Sequence, residues 1–319
     1  MIFDVLTHIG LQNSIITLAI PYYSNPGLMA EAVESVLAQE DSRWRLLVVD
    51  DSPGQAGLAE LPPELARKFE IDPRFRYIRN ERNLGMAATW NRCIELAQTE
   101  LVTLLHSDDR LLPHYCSKML EAAARHPTAS ALFCGAQIID GTGRPVFSFV
   151  DGFKRFLIPQ ATHGDLVLEG ERGCERLVRG NFIMCPTLCY RKSRLGLRRF
   201  DSEWRQVLDW DFTVGVLQAG GTIVGLREKL YAYRRHSSNT TTALTASAHR
   251  FREEFAICQR WVGEFTRMGW QSVAHAAQKK SVLKAHVLFR VLEDLIFLRF
   301  ANAAKKLRVF IEMGFEWKK

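Results

Sequence analysis

The sequence predicts an α/β chain, a Rossmann-like, doubly wound and mainly parallel sheet with a helical extension at its C-terminal end. Three observations predict it. Short apolar, β-rich runs alternate with stretches of helical period in the first third of the chain. The runs end at prolines or at acidic turns. After Thr242 the pattern is helical almost to the end.

Ser14 to Ile20 (SIITLAI) is a strand candidate ended by Pro21, and after a loop through Pro26-Gly27 an amphipathic stretch runs from Leu28 to Gln39. Trp44 to Val49 (WRLLVV) is a second buried strand that stops at Asp50-Asp51-Ser52-Pro53-Gly54 and leads into a Glu/Leu/Ala helix. Arg74 to Arg79 is a third strand and Met86 to Gln98 a third helix. Leu101 to Leu105 (LVTLL) is a fourth strand running into His106-Ser107-Asp108-Asp109. The second half alternates less regularly. It offers apolar segments at Ser130 to Ile139 and Met184 to Tyr190, a helix at Trp210 to Ala219 and a strand at Thr222 to Leu226. A boundary is expected near Asn239, dividing residues 1–239 from a basic helical region, 240–319. Within the first, 13–112 reads as the nucleotide-binding part and 113–239 as the acceptor part.

With 319 residues, 47% of them hydrophobic and 24% charged, the chain supports a full core and gives no compositional reason for long disorder. The seven cysteines are scattered and lack CxxC spacing, which fits a reducing cytoplasm better than a disulfide or zinc framework. No leader and no membrane span is expected from the apolar runs. The net charge of +7 lies wholly in the tail. Thr240 to Lys319 carries 14 Lys/Arg against 7 Asp/Glu, and the rest is balanced at 28 each. A neutral body argues against general nucleic-acid binding, so no nucleic-acid partner is expected.

Three constellations carry chemistry. Asp50-Asp51-Ser52 sits at a strand end, where its carboxylates can accept from a base imide or a sugar hydroxyl, or cap the next helix; Pro21-Tyr22-Tyr23 offers a ring for a base to stack on, or an ordinary core tyrosine. Adjacent Asp108 and Asp109 repel one another unless a cation or hydroxyls compensate them, and hard oxygen ligands without cysteines suit Mg²⁺ or Mn²⁺. A helix cap before Leu111 is the plainer account. Asp209-Trp210-Asp211 opens a helix, and Tyr233-Arg234-Arg235-His236 follows a strand; a carboxylate there can act as general base, with the cations near leaving phosphates.

Taken in order, these segments resemble an inverting glycosyltransferase of family 2 with the GT-A fold, from about Ser14 to Thr242. Ile20-Pro21-Tyr22-Tyr23-Ser24 is similar to the family's opening motif, Val49-Asp50-Asp51-Ser52 to its base-contacting strand end, and Asn83-Leu84-Gly85 with Asn91 to the segment bordering the nucleotide. Ser107-Asp108-Asp109 resembles the metal-binding DxD region. Gly180-Asn181-Phe182-Ile183 and Pro186-Thr187 are similar to the segment before the acceptor pocket, and Asp209-Trp210-Asp211 to the catalytic Glu-Asp motif. His106 stands where a first Asp is common, and Leu208 where Glu precedes the catalytic Asp.

The resemblance implies a nucleoside-diphosphate sugar donor, a UDP- or dTDP-sugar, and a glycan or lipid-linked glycan acceptor in bacterial surface polysaccharide or lipopolysaccharide synthesis. It implies metal ligation by Asp108, Asp109 and His236, donor contacts from Pro21, Tyr22, Tyr23, Asp50, Asp51, Asn83, Gly85, Asn91, Ser107 and Asp108, and a base role for Asp209. Asn181, Trp210, Asp211, Arg234 and Arg235 would border acceptor or phosphates. Two rival readings stay open, a non-catalytic nucleotide-binding or scaffolding protein of the same fold and a nucleotidyltransferase, although no Gly-rich phosphate loop stands near the N-terminus.

In the tail, Leu288, Val291, Leu292, Leu295 and Leu298 form one helical stripe, with Arg290, Glu293 and Asp294 off it. It reads either as a lid packed on the catalytic domain or as a surface for an anionic membrane, with Arg299, Lys305, Lys306, Arg308, Phe297, Phe300 and Phe310 at the interface. Either way a cytoplasmic location is expected, with a place on the inner face of the cytoplasmic membrane in the second case.

Overall fold

A computed structural model describes residues 15–53, 57–146, 164–235 and 244–315. In chain order the first half runs β1 (Ile16–Tyr22), α1 (Pro26–Leu37), β2 (Trp44–Asp50), α2 (Pro63–Ile71), β3 (Phe75–Arg79), α3 (Met86–Leu96), β4 (Leu101–Leu104), β5 (Arg110–Leu111) and α4 (Tyr115–Arg125). β6 (Ala131–Ile139), β7 (Leu166–Glu169), α5 (Gly170–Arg179), β8 (Cys189–Arg191), α6 (Leu208–Gln218) and β9 (Thr222–Arg234) follow. Four helices close the described chain: α7 (His249–Met268), α8 (Gln271–Lys279), α9 (Ser281–Ile296) and α10 (Phe300–Phe315).

The nine described strands form one sheet, in the order β3-β2-β1-β4-β8-β6-β9-β5, with β7 added on β9. β1 is buried along nearly its whole length, as a central parallel strand must be. Alternation along it sends Ile16, Leu18 and Ile20 into one core, with α1, α2 and α4, and Ala19 into a second, with α3, α5 and α6. β1 pairs in parallel with β2 and β4, and β2 with β3. Their C-terminal ends therefore open on one edge.

Beyond β4 the sheet is mixed. β8 runs antiparallel to both β4 and β6, and β5 and β7 run antiparallel to β9, while β6 and β9 are parallel. The parallel expectation thus describes the four N-terminal strands, where helical crossovers force it, and not the second half. β9 is longer than the Thr222 to Leu226 run because it carries on through the exposed Arg227 to Lys229 into a second apolar stretch ending at Arg234. That continuation matters, because it brings Tyr231, Tyr233 and Arg234 beside β5.

The tail divides between two cores. Ile257, Cys258, Trp261 and Phe265 of α7 and Val273 and Ala277 of α8 join the large core, so hydrophobic packing runs through the boundary expected near Asn239. α9 and α10 form an antiparallel hairpin with a small core of their own, Leu283, Val287, Val291, Ala303, Val309 and Met313, against Ala248 and Phe251. No helix among the described residues is long and apolar enough to cross a membrane.

Candidate active site

The edge formed by the ends of β1, β2 and β4 carries the first two acidic pairs. Tyr22 lies opposite Asp50 in the β1–β2 register, and the Asp51 amide donates to the Tyr22 carbonyl at 2.8 Å. Both carboxylates are buried and already engaged. Asp50 accepts from the Ser52 amide at 2.8 Å and from the Tyr77 hydroxyl, with the Arg79 guanidinium 4.0 Å away. Asp51 accepts from Asn80 Nδ2 at 2.7 Å, from the Leu84 amide at 2.7 Å and from the Gly85 amide at 2.9 Å, while Asn83 Nδ2 donates to its carbonyl at 2.8 Å. Asp51 therefore anchors the 83–85 loop. Gly85 ends that loop at φ +81°, where a side chain would be strained, and opens α3.

Of the tyrosines expected to stack on a base, Tyr22 is a core residue; burial, Glu60 and Asp50 push its phenol up to about 12. Tyr23 is 55% exposed and presents the open ring. Pro21 is half-buried on the same strand end. Asn91 spends its amide on a clamp across the fold. Its Nδ2 donates to the Phe200 carbonyl at 2.9 Å and its Oδ1 accepts from the Phe200 amide at 2.8 Å.

Past β4 the chain makes a tight turn at His106-Ser107-Asp108-Asp109, closed by the Asp109 amide on the His106 carbonyl at 3.1 Å. β9 pins this turn. Tyr231 Oη donates to Asp109 Oδ2 at 3.0 Å, the Arg234 amide donates to Asp109 Oδ1 at 2.7 Å, and Arg234 Nε donates to the Asp108 carbonyl at 2.7 Å. Asp109 is fully buried. Desolvation first, and the neighbouring Asp108 second, raise its carboxyl well above the usual range against the pull of Arg234 and Tyr231. The His106 ring stacks on Trp90 at 5.4 Å between centroids and holds Nδ1 3.8 Å from Asp109 Oδ2. Burial lowers its pKa, with Asp108 opposing, so the neutral ring that can bind a metal is favoured.

Donor atoms of His106, Asp108 and Asp109 all lie within 4.8 Å of one another. One imidazole nitrogen and two carboxylates fit Mn²⁺ or Mg²⁺, and each Asp109 oxygen keeps lone-pair capacity beside its one protein donor. A cation there would also relieve the repulsion between adjacent acids. His106 was passed over as a ligand because the spacing of acids draws the eye and a histidine before them does not. His236 lies outside the described residues.

The third constellation approaches from α6. Asp209 and Asp211 stand in the first turn of the helix, a position the dipole favours for acids. Asn181 Nδ2 donates to Asp209 Oδ2 at 3.0 Å, and Asn181 Oδ1 is buried without a partner among the described residues. The buried Cys185 thiol feels both acidic sites. It is raised well above its ordinary value by burial first, then by the charges of Asp209 and Asp109. Tyr233 faces the same group: burial pushes its phenol up, and Asp109, Asp108, Arg235 and Cys185 all act on it. Asp209 and Asp109 thus both act on the Cys185 thiol. No sequence spacing marks Cys185 for this place, and Tyr233 stands out only as the start of the Tyr233-Arg234-Arg235-His236 run.

Three residues expected beside acceptor or phosphates have other duties. Asp211 is buried against the guanidinium groups of Arg198 and Arg260. Trp210 packs edge-on against Trp261 at 5.0 Å and donates from Nε1 to the Leu177 carbonyl at 2.8 Å. Arg234 is 1% exposed, paired with Glu31 of α1 and donating to the Gly141 carbonyl at 3.0 Å. Helix and strand periodicity turn all three inward, which composition alone does not reveal. Arg235 is half-buried, its amide donating to the Ile139 carbonyl at 2.8 Å.

A four-strand parallel unit continued by a mixed sheet, with acids gathered at the strand ends and a His-Asp-Asp cluster, defines a GT-A glycosyltransferase domain. Residues 17–164 match the family model described as Glycosyl transferase family 2, so this part of the chain is a glycosyltransferase domain of that family. It is 25% identical over 223 residues to the putative teichuronic acid biosynthesis glycosyltransferase TuaG of Bacillus subtilis, covering 69% of this chain and 79% of TuaG. It is 32% identical over 131 residues to the putative colanic acid biosynthesis glycosyl transferase WcaA of Escherichia coli, covering 41% of this chain and only 45% of WcaA. Among solved structures, S. aureus TarS 1–349 in complex with UDP-GlcNAc superposes with a TM-score of 0.64 at 17% identity, over 94% of this chain and 81% of that one. The mannosyltransferase PcManGT from Pyrobaculum calidifontis, in complex with GDP-Man and Mn²⁺, superposes with a TM-score of 0.58 at 12% identity, over 100% of this chain and 95% of that one. At those identities the two superpositions speak for the fold alone.

Proposed function

We propose that this protein transfers a sugar from a nucleoside-diphosphate donor to an acceptor hydroxyl with inversion, in the synthesis of a bacterial surface polysaccharide. The observation that carries the reading is the His106-Asp108-Asp109 cluster, whose donor atoms lie within 4.8 Å of one another at the end of β4; Asp209, held by Asn181 at 3.0 Å, is the second acid. One group of acids suits a cation and the other suits a base. Tyr23 and the 83–85 loop line the approach to the strand ends, where a nucleotide would lie. UDP- or dTDP-sugars are the proposed donors.

Asp108, Asp109 and His106 would hold Mg²⁺ or Mn²⁺, whose bound charge would neutralise the diphosphate leaving group. Asp209 would remove the acceptor proton, held in place by Asn181, whose second amide atom remains available to an acceptor hydroxyl. The acceptor oxygen would attack the anomeric carbon from the face opposite the diphosphate, so a single displacement would invert it. A glycan on a lipid carrier fits a protein working on the inner face of the cytoplasmic membrane.

The test is turnover of a panel of UDP-, dTDP- and GDP-sugars with Mn²⁺, read as free nucleoside diphosphate. Release from at least one donor that disappears in Asp209→Asn and in Asp108→Ala supports the reading. Donor binding without release in any combination, with acceptors present, would favour a binding or scaffolding protein instead.

A further inference from the structure

The helical stripe of the tail faces the wrong way for a packed lid. Of Leu288, Val291, Leu292, Leu295 and Leu298, only Val291 is buried; Leu292 is 59% and Leu298 72% exposed. Phe289, Ile296, Phe297, Phe300 and Ile311 extend the apolar surface over the hairpin tip and along α10. The reason is geometric. α9 meets α7 and α10 through the row Leu283, Val287 and Val291, so the leucines about a hundred degrees around the helix point outward.

One ion pair lies inside the otherwise apolar hairpin. Lys306 and Asp294 form an ion pair with side chains 3% and 6% exposed. Lys306 is therefore no surface cation, and Phe310 packs on the small core, which corrects their expected places at an interface. A helical hairpin that buries its own apolar row and still exposes a contiguous face of leucine, isoleucine and phenylalanine is built for a surrounding that is not water.

The charges select that surrounding. Residues 281–315 contain three acids, and each is paired: Glu293 with Arg290, Asp294 with Lys306, Glu312 with Arg308. Lys284, Arg299 and Lys305 are left without a carboxylate among the described residues, and Arg299 sits at the tip with its guanidinium 5.3 Å over the Phe297 ring. The turn itself is fixed by Leu298 in the left-handed region at φ 55°. It thrusts Phe297, Leu298 and Arg299 forward together. A second copy packed across a two-fold axis would set the same cations against each other. An anionic bilayer takes both features, aromatic and aliphatic side chains in the acyl boundary and cations at the headgroups.

We propose that the α9–α10 hairpin is a membrane anchor that inserts its tip, Leu295 to Phe300, and the adjoining face of Leu288, Leu292 and Ile311 into an anionic lipid leaflet. This goes beyond the transfer reaction and stands or falls separately from it. The test is flotation of the purified full chain with vesicles of phosphatidylcholine containing phosphatidylglycerol at about 30%, or of phosphatidylcholine alone. The wild type is expected to float with the anionic vesicles and at least tenfold less with the neutral ones. Ile296→Ser/Phe297→Ser/Phe300→Ser, all at exposed positions, is expected to stay with the soluble fraction while keeping its melting temperature. Arg299→Glu/Lys305→Glu is expected to lose the preference for anionic lipid. Wild-type protein that remains unbound, or a serine variant that floats equally well, overturns the proposal. So does light scattering that shows a wild-type dimer, dissociated by the serine substitutions, with no lipid binding. Nucleoside diphosphate release is measured on the same samples without vesicles, so loss of transfer and loss of docking are read apart.

Discussion

Asp209 and Asn181 form the pair on which the proposed chemistry turns. Asp209→Asn keeps the shape and removes the proton acceptor, so kcat should fall by about 10² to 10⁴ with little change in donor affinity; steady-state kinetics with calorimetry separates the two. Asn181→Ala leaves the base in place but unguided and should cost kcat less. At the neighbouring turn, the raised carboxyl of Asp109 sets a pH dependence. A folded-state pKa above the unfolded one means that ionising Asp109 costs stability as pH rises from the ordinary carboxyl range through its folded value. A bound cation favours the ionised form and must displace that proton, so metal affinity should rise with pH over the same window. Melting curves with and without Mn²⁺ between pH 5 and 8 should show a metal-dependent gain that grows with pH and vanishes in Asp108→Ala. Asp108 and Asp209 can be picked out of the sequence because acids at apolar strand and helix ends are conspicuous. His106, Cys185 and Tyr233 cannot, because their roles come from being folded against those acids.

Two elements hold this arrangement, and each makes a separate prediction. The 83–85 loop hangs on the Asp51 carboxylate through the Leu84 and Gly85 amides, so Asp51→Ala strands buried donors and should destabilise the protein by about 2–3 kcal/mol in urea unfolding. This is a structural duty for an acid whose position suggests base recognition. In the hairpin, Lys306→Met leaves Asp294 buried without its partner and should cost about 3–5 kcal/mol, whereas Asp294→Leu/Lys306→Met should recover most of the loss. A double-mutant cycle measures the difference. Element existence and order are legible from apolar period and turn residues. The length of β9 is not, since its exposed middle hides that two apolar runs belong to one strand.

At the scale of the whole molecule, one sheet joins both halves. β8 reverses direction between β4 and β6, and that reversal carries the 185–187 turn and then α6 toward the parallel edge. Two acidic sites about a hundred residues apart in sequence both come to act on the Cys185 thiol. A ligand bridging them should stabilise the native state as a unit: a nucleotide sugar with Mn²⁺ at a hundred times its dissociation constant adds about 2.7 kcal/mol, readable as a thermal shift. Nucleotide alone should give a smaller shift in His106→Ala than in wild type when Mn²⁺ is present, and the same shift when it is absent.

The sequence by itself determined the class of fold, the alternation of strands and helices, and the acids at their ends, because apolar period and turn chemistry are local properties of the chain. It also determined that the excess positive charge lies in the tail. Only the tertiary structure decided which of those acids cluster with His106 and which are consumed by Arg198, Arg260 or backbone amides. It also decided that the leucines of α9 look outward. Both outcomes depend on which face of each element meets its neighbours, a choice made by long-range packing that no local pattern contains.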